Sequence, residues 1–128
     1  MIVQKDFRFD AAHHLTHYHG KCESLHGHTY YLSVMVEGEL DVSSGMVLDF
    51  LCISNAVHEN ILSKLDHKNL NDFFENPSTE IVAEWIFKTL HPHLQSPTYQ
   101  LTTIKLSETP SSHITYTKED YARYTERN

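Results

Sequence analysis

The sequence predicts an α+β fold in the order ββααββ, a four-stranded antiparallel sheet with two helices on one face. Three observations predict it. Stretches with period-two alternation lie towards both ends of the chain, two apolar stripes at helical spacing lie between them, and no repeat, low-complexity stretch or linker interrupts the order. Residues 1–128 therefore read as a single domain. A chain of this length buries a core without disulfide or metal staples.

Each element has its own justification. In residues 2–9, Val3, Phe7 and Phe9 share one face while Gln4, Asp6 and Arg8 share the other, the pattern of a half-buried strand. Residues 14–25 are polar, rich in histidine and contain Gly20, and read as a loop. Residues 28–37 alternate again, with His28, Tyr30, Leu32, Val34 and Val36 on one side. Turn signals follow at Gly38 and at Ser43-Ser44-Gly45. Asp49 is placed to cap a helix whose stripe is Phe50, Ile53, Val57 and Ile61, extended by Leu62 and Leu65. Asn76-Pro77 marks a second helix, with Asn as the cap and Pro at the first helical position, Val82, Trp85, Ile86 and Leu90 inside, and Pro92 as the stop. Residues 99–108 and 113–117 form a hairpin through Thr109-Pro110-Ser111-Ser112, and the tail from Lys118 is charged helix or coil. Two helices cover one face of such a sheet, so the other face and the sheet edges call for a partner, and an oligomer is expected.

Composition narrows the function classes. The hydrophobic share of 40% and charged share of 21% are those of a globular protein. A formal charge of −7 excludes a general nucleic-acid binder, which needs a basic face. Apolar runs fall short of membrane-spanning length, and the first residues turn charged at once, so no membrane partner and a cytoplasmic, reduced protein are expected. There are two cysteines: Cys52, in an apolar run, reads as a small buried hydrophobe, and Cys22 as a free thiol.

The chain holds 11 histidines, five of them from His13 to His26, leading into C-E-S-L-H-G-H at residues 22–28. If Gly27 continues the strand, His26 and His28 project to one side and two imidazoles reach one ion. A third ligand has to come from elsewhere, and His13 and His14 directly follow the first strand, the expected neighbour of the strand carrying His28. Three histidines with no further protein ligand match a catalytic zinc; Cys22 as a fourth ligand would instead close a structural site. Residue types and spacing leave both open. His14, His17 and His19 are further imidazoles in the loop.

In order along the chain stand Phe9-Asp10-Ala11-Ala12-His13, Cys22 separated by three residues from His26-Gly27-His28, Gly45-Met46-Val47-Leu48-Asp49-Phe50, Leu65-Asp66-His67-Lys68-Asn69-Leu70-Asn71, Asn76-Pro77-Ser78-Thr79-Glu80 and Ser107-Glu108-Thr109. The series resembles the 6-pyruvoyl-tetrahydropterin synthase family, and within it the bacterial 6-carboxy-5,6,7,8-tetrahydropterin synthases of queuosine (7-deazaguanine) biosynthesis. The resemblance implies a tunnelling (T-) fold that closes into a barrel by trimerising, two trimers stacking into a homohexamer with sites between subunits. It implies Zn2+ held by His13, His26 and His28, Cys22 as catalytic base, Asp66 and His67 as an acid–base pair, and Glu108 as the anchor of the pterin ring. The implied reaction converts 7,8-dihydroneopterin triphosphate to 6-carboxy-5,6,7,8-tetrahydropterin, releasing acetaldehyde and triphosphate. The alternatives within the family are the 6-pyruvoyl product and a folate-type side-chain cleavage to 6-hydroxymethyl-7,8-dihydropterin, for which Glu23 would be the alternative base. A non-catalytic zinc- or pterin-binding regulatory module is the alternative outside enzymology.

The chemistry suits these residues. A Lewis acid on the side-chain oxygens acidifies the adjacent C–H, and a thiol beside a dication is a stronger acid than free cysteine. An imidazole beside a carboxylate is a proton carrier. A glutamate accepts two adjacent N–H donors of a pterin in charge-assisted bonds. Lys21, Arg8 and Lys68 are the candidates for triphosphate contacts.

Overall fold

A computed structural model describes residues 1–16 and 24–127. Strand β1 (Ile2–His13) pairs antiparallel with β2 (His26–Gly38), in a register that sets Phe9 opposite Tyr30, Ala11 opposite His28 and His13 opposite His26. After a turn in which Gly45 takes φ 74, helix α1 (Phe50–Val57) runs on through a π turn (His58–Leu62) into a last helical turn (Ser63–Leu65). Strand β3 (Lys68–Asn69) follows, then helix α2 (Thr79–Leu90), strands β4 (Tyr99–Thr109) and β5 (Ser112–Thr117), and helix α3 (Lys118–Arg127).

The four antiparallel strands expected from the sequence are therefore part of a five-stranded mixed sheet, ordered β3-β1-β2-β4-β5. The extra strand is two residues long and parallel to β1, with Lys68 opposite Ala11 and Asn69 opposite Ala12. Two residues carry no readable periodicity, which is why alternation does not find it. Irregularities interrupt the β2–β4 register between Met35 and Val36 and the β4–β5 register between Ser107 and Thr109.

The core lies between the helices and one sheet face. Phe9, Tyr30, Leu32, Val34, Val36, Ile104 and Leu106 meet Ile53, Val57, Ile61, Val82, Ile86 and Leu90 there, all at most 2% exposed. Each such side chain contributes roughly 1.5–3 kcal/mol relative to exposure. On the other face Gln4, Asp6, Arg8 and Tyr31 are exposed. No helix of the described residues is long and apolar enough to cross a membrane.

Two local expectations are corrected. The buried stripe of α1 begins at Ile53; Phe50 is 57% exposed, and Cys52, expected inside, is an exposed free thiol. One residue of helix turns the side chain by about 100°, enough to carry Cys52 off the face that buries Ile53. The second helix is capped by Ser78, whose hydroxyl accepts the Ile81 N–H, and begins at Thr79 rather than at Pro77. Asp49 caps α1 as expected, accepting the Leu51 N–H at 2.8 Å.

A candidate metal centre and its groove

The face of β1 and β2 that carries the core ends in histidines. Alternation brings His13, His26 and His28 onto the helix-covered side, His28 one same-face position and His13 and His26 two positions beyond the stacked pair Phe9 and Tyr30. His13 Nε2 lies 3.1 Å from His26 Nε2. Glu108, at the irregularity near the end of β4, brings its Oε1 to 3.0 Å from His13 Nε2 and 3.1 Å from His28 Nε2. One ligand atom from each of these four residues lies within 4.8 Å of every other.

The tautomers follow from the neighbours. A carbonyl oxygen only accepts, so the 3.0 Å contact of His13 Nδ1 with Pro77 O places a proton on Nδ1. The 2.8 Å contact of His26 Nδ1 with Ser24 O does the same for His26. Each neutral ring then presents a bare Nε2 lone pair, and the two lone pairs face one another beside a carboxylate. Such convergence is stabilised by a shared cation. Nitrogen ligands around tetrahedral zinc sit about 3.3 Å apart, given Zn–N bonds of about 2.05 Å. The imidazoles and carboxylate thus fit zinc in donor type, spacing and orientation, and backbone acceptors fix the ligating histidines as second partners do in metal sites.

A second set of contacts holds the segment that follows His13. Asn71 accepts the His14 N–H through Oδ1 at 2.9 Å and donates from Nδ2 to His14 O at 3.0 Å. Asn76 accepts the Thr16 N–H at 3.0 Å. Residues 13–16 are thereby fastened to the stretch between β3 and α2.

Asp66 and His67 lie against the edge of β1. Asp66 Oδ1 accepts the Asp10 N–H at 3.1 Å, and Asp10 O accepts the His67 N–H at 2.7 Å. His67 has φ 60, the only positive φ outside glycine among the described residues, and its side chain is 77% exposed. Its Nε2 stands 3.7 Å from Asp66 Oδ1, close enough for attraction but too long for a hydrogen bond. A groove of about 600 Å³ runs across the sheet edge and is lined by His28, Gly27, Asp10, His67 and Lys68. A separate cavity of about 130 Å³ is lined by Glu108, Thr79, Glu80, Ser112, His113 and Ile114.

A family model described as 6-pyruvoyl tetrahydropterin synthase matches residues 2–119. The chain belongs to the 6-pyruvoyl tetrahydropterin synthase family. Among its relatives, a 6-carboxy-5,6,7,8-tetrahydropterin synthase of Synechocystis is 39% identical over 95 residues, 70% of this chain and 74% of that one. A dihydroneopterin monophosphate aldolase of Pyrococcus furiosus is 43% identical over 86 residues, 67% of this chain and 71% of the relative. The solved 6-pyruvoyl tetrahydropterin synthase of Caenorhabditis elegans superposes with a TM-score of 0.78 at 28% identity, covering 91% of this chain and 94% of that one.

In this member of the 6-pyruvoyl tetrahydropterin synthase family, the residues singled out from the sequence fall into three groups. His13, His26 and His28 converge, with Glu108 as a fourth donor where the sequence reading counted three. Of the pair Asp66 and His67, His67 lines the groove it shares with His28, and Asp66 accepts the Asp10 N–H. Cys22 and Glu23, with His17, His19 and Lys21, lie outside the described residues. Of the phosphate candidates, Lys68 lines the groove, whereas Arg8 is exposed on the sheet face away from the histidines. Sequence reasoning missed Asn71, Asn76 and the Pro77 carbonyl as positioning groups. The signal for the two asparagines was present in Leu70-Asn71 and Glu75-Asn76-Pro77: side chains that satisfy backbone groups of a neighbouring segment are a common use of asparagine outside helices.

Proposed function

We propose that this chain is a zinc-dependent 6-carboxy-5,6,7,8-tetrahydropterin synthase acting on 7,8-dihydroneopterin triphosphate in the supply of 7-deazaguanine precursors such as those of queuosine. The observation that carries the reading is the convergence of His13 Nε2, His26 Nε2 and His28 Nε2 beside Glu108, with the Nδ1 protons of His13 and His26 directed onto backbone carbonyls. Held by the three imidazoles, zinc would supply Lewis acidity to the side-chain oxygens of the substrate.

The protein groups divide the remaining work. Cys22, four residues before His26, takes the proton from side-chain carbon as thiolate. His67, exposed in the groove and beside Asp66, returns and relays protons. Glu108 accepts the N3–H and 2-amino hydrogens of the pterin and so sets which carbon faces the thiolate. Proton transfers within the substrate and the uptake of one water, whose oxygen is accounted for in the products, balance the reaction without an external redox cofactor. Products are the carboxylated pterin, acetaldehyde and triphosphate. Assembly into a homohexameric barrel with sites between subunits, in the cytoplasm, completes the proposal; the strand edges at β3 and β5 are the surfaces it would pair.

The second reading is side-chain cleavage to 6-hydroxymethyl-7,8-dihydropterin with Glu23 as base, favoured by the 43% identity to the Pyrococcus aldolase. Incubation with 7,8-dihydroneopterin triphosphate and mass spectrometry of the products separates the two. Carboxytetrahydropterin as the main product supports the first reading; hydroxymethyl- or pyruvoyl-pterin alone would replace it, and unchanged substrate with zinc-loaded protein would favour a binding module.

A further inference from the structure

Glu108 stands in two places at once. Its carboxylate touches the Nε2 atoms of His13 and His28 at 3.0 and 3.1 Å, and the same residue lines the 130 Å³ cavity at the start of α2. It is the residue at which the β4–β5 pairing loses register, where strand irregularities commonly re-aim a side chain. Its side chain is 28% exposed and His13 is 2% exposed, so the carboxylate reaches from the rim into a closed end. Resting on the zinc reading above, we propose that Glu108 is a displaceable fourth metal ligand. In the substrate-free protein its Oε1 completes the coordination, and the pterin ring draws it away by offering two N–H donors on the cavity side.

The chemistry gives this exchange a purpose. Three neutral imidazoles leave zinc its double charge; adding a carboxylate lowers the net charge of the site to about +1 and weakens its pull on bound oxygen. A carboxylate also excludes water from the fourth position. Release of Glu108 by the pterin ring then opens a coordination position and restores the charge at the moment a side chain is present to use it. Ring recognition and activation of the side chain become one event, which penalises molecules that carry hydroxyls without a pterin.

Cobalt(II) in place of zinc reports the exchange through its visible absorption, and a pterin without the hydroxylated side chain isolates the ring's effect. The expected result is a change in the cobalt spectrum of the parent protein when this side-chain-free pterin binds. Glu108→Gln should show an altered spectrum before any ligand is added and no further change with pterin, while zinc affinity measured against a chromophoric chelator falls at least about tenfold. Glu108→Asp, which keeps the charge on a shorter arm, should fall between the two. A parent spectrum unmoved by pterin, together with a Glu108→Gln spectrum and zinc affinity equal to the parent's, would overturn the exchange while leaving the three-histidine site intact. Failure of the parent protein to bind cobalt or zinc would overturn both.

Discussion

Removing the metal should cost this protein a measurable part of its thermal stability, and the size of the loss can be worked out. In the cluster, two Nε2 lone pairs face each other at 3.1 Å with a carboxylate oxygen 3.0 Å from one of them. His13 is 2% exposed, so little water screens them. A ligand at 1,000 times its dissociation constant stabilises the folded state by about 4.1 kcal/mol. With an unfolding entropy of about 2.1 cal/mol/K per residue over 128 residues, that corresponds to roughly 15 °C in Tm. Scanning calorimetry of zinc-loaded protein with and without a strong chelator, with metal content measured in parallel, tests the figure. In His26→Ala one of three imidazoles is gone, and the chelator-dependent shift should shrink to a few degrees as bound zinc and turnover fall together. An unchanged Tm on chelation, or full activity in metal-free protein, would refute the argument from the facing lone pairs.

Other perturbations probe separate parts of the site and fold. Cys22→Ala should abolish turnover while zinc stays near one per chain, measured by metal analysis; loss of metal would assign the thiol to coordination instead. His67→Gly should leave stability within about 1 kcal/mol of the parent, because glycine tolerates the positive φ, yet lower turnover at least about a hundredfold; His67→Val should also be distinctly less stable in denaturant titration, and undiminished turnover in the glycine variant would remove His67 from the mechanism. His91 packs against Phe87 and Tyr121, its Nδ1 is buried without a hydrogen-bond partner, and burial holds its pKa below the ordinary value. Its contribution is therefore intact above about pH 6.5 and declines as pH falls towards the lowered folded-state value. The difference in Tm between parent and His91→Phe should move in favour of the variant on acidification, and a constant difference would contradict the burial argument.

Which parts of this molecule were legible in the sequence follows from how local their causes are. The long strands and both central helices were legible because alternation and helical stripes repeat over many residues, and Asp49 was legible as a cap because it immediately precedes its helix. Lys68–Asn69 was not, since its pairing is set by the Asp10–His67 and Asp10–Asp66 bonds across more than fifty residues. Ser78 displaced Asn76 as the cap because the Asn76 side chain serves Thr16 and the Pro77 carbonyl serves His13, both partners remote in sequence. The pair His26 and His28 was readable from strand alternation. The third ligand was narrowed to His13 or His14 by position, and the family resemblance chose His13, because the sequence pattern ended the first strand at residue 9 whereas β1 runs on to His13. The approach of Glu108 was hidden because a break in strand register has no signature in residue type.

The bonds from Asn71, Asn76 and Pro77 to residues 13–16 carry a consequence for how such a protein changes over time. They clamp the chain at Thr16, and the Ser24 carbonyl grips His26 where the next strand begins, so the cation cradle is braced independently of whatever chain joins the two anchors. Cys22 and Glu23, the two bases proposed above, belong to that joining piece. On the proposed function, a change in its length or an exchange of thiol for carboxylate would leave those braces in place, and the outcome of the reaction would become an exchangeable cassette on a fixed chassis.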